Sequence, residues 1–141
     1  MGKLLDKAII IAVNAHSGQV DKAGEDYICH PLRVMLKLKT EEERIVGILH
    51  DVIEDTNMTY EQLRSEGFSE TIIIALKNVT KEKVETYTDF VNRAKSNEIS
   101  RVVKLADLED NLDIARIHNP SKKDYERLEK YKNATGILLK N

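Results

Sequence analysis

Tryptophan is absent from the 141 residues, aromatic side chains make up 5%, and there is a single cysteine. The lone Cys29 excludes an internal disulfide and a multi-cysteine zinc site, and it fits a reducing cytoplasm. For Cys29 itself, a small half-buried side chain is the simpler reading beside that of a nucleophile. No apolar run approaches the roughly 18 residues needed to span a bilayer. The opening "MGKLLDKAIIIAV" is interrupted by Asp6 and Lys7 and is followed by no small-residue cleavage site. It reads as an amphipathic first helix, not a signal peptide. A cytoplasmic protein without a membrane partner is expected.

An excess of charge of either sign is also missing. The 22 basic and 24 acidic residues leave a formal net charge of -2, which excludes the strongly basic surface that most nucleic-acid binders present. A polyanionic small molecule would have to meet a local positive centre. What the chain does have is Leu, Ile, Val, Ala, Lys and Glu, which give an aliphatic core and helices. Its length fits one domain with a core that needs no disulfide staples. The expectation is all-α: a single-domain helical bundle over residues 1–141.

Helical spacing of Leu4, Leu5, Ala8, Ile9, Ala12 and Val13 predicts a first helix over 3–17, ended near Gly18. The stretch "GQVDKAGEDY" is turn chemistry, and "ICHPLRVMLKL" is a second helix with Pro31 near its start and His30 beside it. Thr40 with Glu43 makes a capping box for a helix running through "EEERIVGILHDVIEDT". Thr59 with Gln62 starts a short helix stopped by Gly67. "SETIIIALKNVT" is a helix, although its β-branched run Thr71 to Ile74 also suits a strand that lacks a partner. "TDFVNRAKS" and "ISRVVKLADLEDNLDIARI" are two more helices, and Ser121 caps a closing one after Pro120.

The segment "ILHDVIEDT" holds the chemistry. At four-residue spacing Glu54 stacks on His50 and Asp55 on Asp51, among the apolar Ile48, Leu49, Val52 and Ile53. Burying such charges without compensation costs several kcal/mol, and the nearest basic residues, Arg44 and Arg64, are distant in sequence. A divalent cation is the other compensation, because His and carboxylate ligands suit Mn, Fe or Zn. His30 can face His50, and Asp107 sits in the apolar "VVKLADLEDNL". Read separately, His30 is a packing or capping histidine, Asp107 an ion-pair partner of Lys104, and Glu54 and Asp55 a solvated helix end.

Taken in order, His30, His50-Asp51 and Asp107 resemble the H…HD…D signature of the HD superfamily of metal-dependent phosphohydrolases. The segments "GQVDKAGEDYICHPLRV", "GILHDVIEDT", "NVTK" and "VVKLADLEDN" are similar, in order, to the hydrolase domain of RelA/SpoT proteins and their stand-alone small relatives, over roughly residues 5 to 117. The resemblance implies an HD-type helical domain holding Mn²⁺ through His30, His50, Asp51 and Asp107. It implies hydrolysis of the 3′-pyrophosphate of guanosine tetra- or pentaphosphate, the nucleotides of the stringent response. It gives Glu54 and Asp55 the handling of the attacking water, and Lys22 and Asn111 contacts to the nucleotide. Read alone, Lys22 is a loop solubiliser and Asn111 a helix-end residue. Tyr27 and Lys81 also fall in matching segments.

The chain departs from the family at Asp21, where an arginine is frequent, at Asp113, where a basic residue is usual, and at Ile114, where some relatives have a hydroxyl. These changes touch the nucleotide side and not the metal. Two alternatives follow: an HD phosphohydrolase for another nucleoside phosphate or phosphoester, and a non-catalytic metal- or nucleotide-binding module. The retained Glu54-Asp55 pair argues against the module.

Overall fold

Apolar residues at helical spacing become helices throughout the computed structural model, which describes residues 2–141. Among the described residues there are nine α-helices, one 3-10 turn and no strand. Helix α1 (Lys3–His16) buries Ala8, Ala12 and His16, and the chain turns at Gly18 with φ of +82°. A loop with one antiparallel bridge, between Val20 and Asp26, leads to α2 (Cys29–Leu36). Pro31 is the third residue of α2, where an N–H would have no helical acceptor.

Helix α3 (Glu41–Leu49) starts from the expected capping box, with Glu43 N donating to Thr40 Oγ1 at 3.1 Å and Thr40 N to Glu43 Oε1 at 3.3 Å. The helix does not run on through Thr56. It stops at Leu49, His50 and Asp51 form a turn, and a separate short α4 (Val52–Asp55) follows. The reason is local: His50 Nδ1 lies 2.6 Å from the Gly47 carbonyl, which a regular helix offers to the Asp51 N–H. The four ionisable groups therefore belong to two short elements and not to one continuous helical face.

Helix α5 (Tyr60–Ser65) has the Thr59–Gln62 capping box and ends before Gly67, at φ of +101°. Helix α6 (Glu70–Asn78) absorbs the run from Thr71 to Ile74, because Ile72 and Ile73 are buried on its inner side. Helix α7 (Tyr87–Lys95) follows. Helix α8 (Glu98–Asn111) ends earlier than the sequence pattern suggested, and Ile114–Arg116 forms a 3-10 turn. There the Arg116 side chain donates to the Asp110 carbonyl at 3.2 Å, satisfying one of the last-turn acceptors. Ser121 caps α9 (Lys122–Leu139) in a box with Asp124.

The centre of the fold is α3, whose Ile45, Val46, Ile48 and Leu49 are all buried. It packs against α1, α2, α6 and α8 in an aliphatic core with Val34, Ile72, Leu76 and Val103. A smaller cluster of Val91, Leu108, Ala134 and Leu138 joins α7, α8 and α9. Because neighbours cover α3, its C-terminal turn delivers His50 into the interior at 3% exposure. No helix among the described residues is long and apolar enough to cross a membrane.

Candidate metal centre

His30 comes from the first turn of α2, His50 and Asp51 from the turn after α3, and Asp107 from the last part of α8. His30, His50 and Asp107 are buried, and each offers one ligand atom within 4.8 Å of the other two. His30 Nε2 is 2.9 Å from Asp107 Oδ1 and 3.8 Å from Asp51 Oδ2. His50 Nε2 is 3.0 Å from Asp51 Oδ2 and 3.3 Å from Asp107 Oδ1. The structure thus brings together all four residues singled out in the sequence.

The two ring nitrogens of His50 have different fates. A carbonyl can only accept, so the contact with Gly47 O means that Nδ1 carries a proton. Nε2 is buried and makes no hydrogen bond of good geometry, although two carboxylate oxygens lie within 3.3 Å. An imidazole nitrogen left over among anionic oxygens, with the tautomer fixed from behind, is how a metal-ligating histidine is arranged. The donor set, imidazole nitrogen with carboxylate oxygen, fits a divalent first-row ion.

Burial disfavours charge on these groups, yet they sustain one another. Burial alone would lower the His50 pKa, but Asp51 and Asp107 outweigh it and push it well above the ordinary value. For His30 burial is likewise outweighed, by hydrogen bonds to Asp107 and Asp110, and the net direction is up. Burial raises Asp51 and Asp107, but His50 pulls the first below the usual carboxylate range, and Lys104 with both histidines pulls the second. Tyr27 donates its hydroxyl to Asp51 Oδ2 at 2.5 Å.

Asp107 fills both of the roles open to it. Its Oδ1 faces the histidines and also accepts from Asn111 Nδ2 at 3.1 Å, while Oδ2 meets Lys104 Nζ at 2.9 Å. The ion pair with Lys104 supports the aspartate from the side away from the cluster.

A cleft of about 550 Å³ opens over the cluster. It is lined by His30, Asp51 and Asp107 of the cluster together with Lys22, Tyr27, Asn111, Arg116, Arg127 and Tyr131. Lys22 and Asn111 therefore both reach the cleft. Glu54 and Asp55 stand on α4 and do not line it. Partial burial raises both carboxyls, and the neighbouring Asp51 raises them further. Lys81 is half-buried, donates to the Glu82 carbonyl and lies outside the cleft.

Three charged residues near the site were not picked out from sequence. Asp110 accepts from His30 Nδ1 at 2.6 Å, and Arg33 Nε donates to its other oxygen at 2.7 Å. Arg116 lines the cleft with Lys22 and Arg127, and these cations are a local positive centre on a nearly neutral chain. The available signal was spacing, since Arg33 follows His30, and Asp110 follows Asp107, by three residues. Asp21 is also engaged: its Oδ1 accepts the N–H groups of Ala23 and Glu25 at 2.8 and 3.0 Å, and its Oδ2 is 3.5 Å from Arg116 Nη1. Asp113 stands largely exposed, 3.9 Å from Arg116 Nε.

Fold and site define an all-helical domain of the HD type, built round a buried His–Asp cluster. Its relatives are RelA/SpoT hydrolases, which the chain resembles in sequence. It is 34% identical over 120 residues to a guanosine-3′,5′-bis(diphosphate) 3′-pyrophosphohydrolase of Aquifex aeolicus, covering 77% of this chain and 17% of that protein. To the enzyme of that name from Borreliella burgdorferi it is 42% identical over 83 residues, 56% of this chain and 12% of the relative. The bifunctional (p)ppGpp synthase/hydrolase SpoT of Escherichia coli is 36% identical over 83 residues, with the same coverage. The chain thus spans less than a fifth of the length of these curated relatives. A solved structure described as a metazoan ortholog of SpoT that hydrolyses ppGpp has the same fold. It superposes with a TM-score of 0.81 at 18% identity, covering 99% of this chain and 87% of that one. No protein-family model matches the chain.

Proposed function

We propose that residues 1–141 form a single HD phosphohydrolase domain that removes the 3′-pyrophosphate from guanosine-3′,5′-bis(diphosphate), with Mn²⁺ held by His30, His50, Asp51 and Asp107. The observation that carries the reading is the buried Nε2 of His50, free of hydrogen bonds and set against two carboxylate oxygens. The curated relatives named for this reaction support the substrate. A bound cation supplies a water of lowered pKa and neutralises phosphoryl oxygens. Tyr27 holds Asp51 through its hydroxyl, and Asn111 and Lys104 hold Asp107, so the ligand set is fixed before substrate arrives. Glu54 and Asp55, whose carboxyls are raised by partial burial and by the neighbouring Asp51, take the proton from the attacking water. Lys22 and Arg116 face the cleft as cations for phosphate oxygens. The expected location is the cytoplasm.

The test is release of pyrophosphate from guanosine-3′,5′-bis(diphosphate) by the purified protein with Mn²⁺, and its loss in Asp51→Ala. A folded, Mn²⁺-loaded protein inert on that nucleotide defeats the substrate claim. A second reading, another nucleoside phosphate, is favoured by one observation. Asp21 places an anion 3.5 Å from the Arg116 guanidinium and draws off part of its attraction for a polyanion. A panel of nucleotides assayed for phosphate and pyrophosphate separates the two.

A further inference from the structure

We infer that Asp110 is the positioning carboxylate of His30, and that through two arginines it couples cation binding to the order of the loop that carries Lys22. The inference rests on the metal reading above and adds to it a residue outside the ligand set. Asp110 is 5% exposed. Its Oδ2 lies 2.6 Å from His30 Nδ1, and an ionised carboxylate can only accept, so Nδ1 holds a proton, and a cation that displaces the contact of Nε2 with Asp107 Oδ1, at 2.9 Å, would meet the Nε2 lone pair. His50 obtains the same result from the Gly47 carbonyl. For His30 the nitrogen facing away from Asp107 meets Asp110 alone, so this carboxylate sets its tautomer.

The remaining lone pairs of Asp110 go to two guanidinium groups. Arg33 donates through Nε to Oδ1 at 2.7 Å and through Nη2 to Oδ2 at 3.1 Å. Arg116 Nη2 donates to the Asp110 carbonyl at 3.2 Å and lies 3.5 Å from Oδ2. Each arginine then reaches the loop with another nitrogen. Arg33 Nη1 is 3.2 Å from Glu25 Oε1, and Arg116 Nη1 is 3.5 Å from Asp21 Oδ2. Asp21 in turn accepts the N–H groups of Ala23 and Glu25, so Lys22 sits in a turn held at both ends. One carboxylate thus orients His30 and anchors both cations that grip the loop. An aspartate serving merely as an ion-pair partner of Arg33 would have no need of an imidazole at 2.6 Å. Coupling of this kind is reciprocal: if loop order favours the His30 orientation, cation binding must stabilise the loop by the same factor.

The experiment measures Mn²⁺ affinity by calorimetry, the His30 tautomer by ¹⁵N NMR of metal-free protein at alkaline pH, and amide exchange over residues 19–27 with and without Mn²⁺. Asp110→Ala is expected to lose about 10- to 100-fold in Mn²⁺ affinity and to lose the Nδ1–H tautomer. Asp110→Asn keeps an oxygen that accepts from Nδ1–H, so it should retain the tautomer and recover most of the affinity; it also serves if the alanine variant does not fold. In Arg116→Gln, Mn²⁺ should slow loop exchange less than in the wild type while the His30 tautomer stays. Wild-type Mn²⁺ affinity and tautomer in Asp110→Ala, with only a lower Tm, would overturn the inference. A wild type that takes up no Mn²⁺ defeats the metal reading and the coupling with it, and the tautomer comparison then decides the positioning role by itself.

Discussion

His50 gives its Nδ1 proton to the carbonyl of Gly47, 2.6 Å away and three residues earlier. The bond interrupts α3, and it also leaves Nε2 bare beside Asp51 and Asp107. Gly47 has a second duty on its other side. A Cβ there would stand 2.6 Å from Leu38 Cδ1 and 3.6 Å from the Met35 Cα, so its bareness lets α2 close on α3. Overpacking of a core costs about 1–3 kcal/mol. Gly47→Val is therefore expected to lower the unfolding free energy measured in urea by that order and, by shifting the carbonyl that fixes His50, to weaken Mn²⁺ binding. Unchanged stability together with unchanged Mn²⁺ affinity would contradict this account.

Metal binding should strengthen as pH rises. In the cation-free cluster the pKa of His30 and of His50 is raised, because hydrogen bonds and charge from Asp107, Asp110 and Asp51 outweigh burial. A raised folded-state pKa gives stability that is fully present below the unfolded histidine value and fades as pH rises through the folded value. A cation competes with those same protons and so gains affinity over the same range. The Tm difference between Mn²⁺-loaded and chelator-treated protein should widen as the pH is raised upwards from the ordinary histidine value of about 6.5. Calorimetry in buffers of different ionisation enthalpy should register proton release; a Tm difference that narrows, or no protons released, would count against the cluster as a metal site.

Much of this was legible in the sequence because it rests on short-range rules. The Thr40, Thr59 and Ser121 caps are all formed, since each needs only a side chain three residues away. The charges lodged in apolar surroundings pointed to a cation beside His50 and Asp51, but the full set with His30 and Asp107 came from the resemblance of the ordered motifs to a known family. The break at His50 was not, because helical periodicity counts residues and does not register a side chain that competes for a backbone carbonyl. Asp110 and Arg116 escaped for a related reason: their partners His30 and Asp21 are 80 and 95 residues away. Asp21 looked like a lost cation and is instead the residue that ties its own loop.

Glu54 and Asp55 should be separable from the ligands by what their loss leaves intact. Both sit on α4, outside the cleft lining, with carboxyls raised first by burial and then by Asp51. A positioned general base contributes about 10²- to 10⁴-fold in rate. Glu54→Gln and Asp55→Asn are expected to keep Mn²⁺ affinity near the wild-type value while at least one lowers kcat by that order. Because the carboxyls are raised, the acid limb of the wild-type rate profile should lie above the ordinary carboxylate range. Full kcat in both variants would remove these residues from the chemistry and leave them as a charged rim.

The Asp21–Arg116 pair makes the sharpest prediction about substrate affinity. Asp21→Asn retains an oxygen for the Ala23 and Glu25 N–H groups, so the loop should keep its shape. What disappears is the negative charge 3.5 Å from Arg116 Nη1, both side chains being partly exposed. A pair in that setting is worth about 1 kcal/mol, or about fivefold in an equilibrium constant. KM for a polyanionic nucleotide should fall by about that factor, with kcat and Mn²⁺ affinity little changed. The gain should shrink in high salt, as expected for a charge effect between partly exposed groups. A KM that rises would mean that Asp21 itself contacts the nucleotide, and the anion would then have to be read as a selector of substrate in place of a restraint on Arg116.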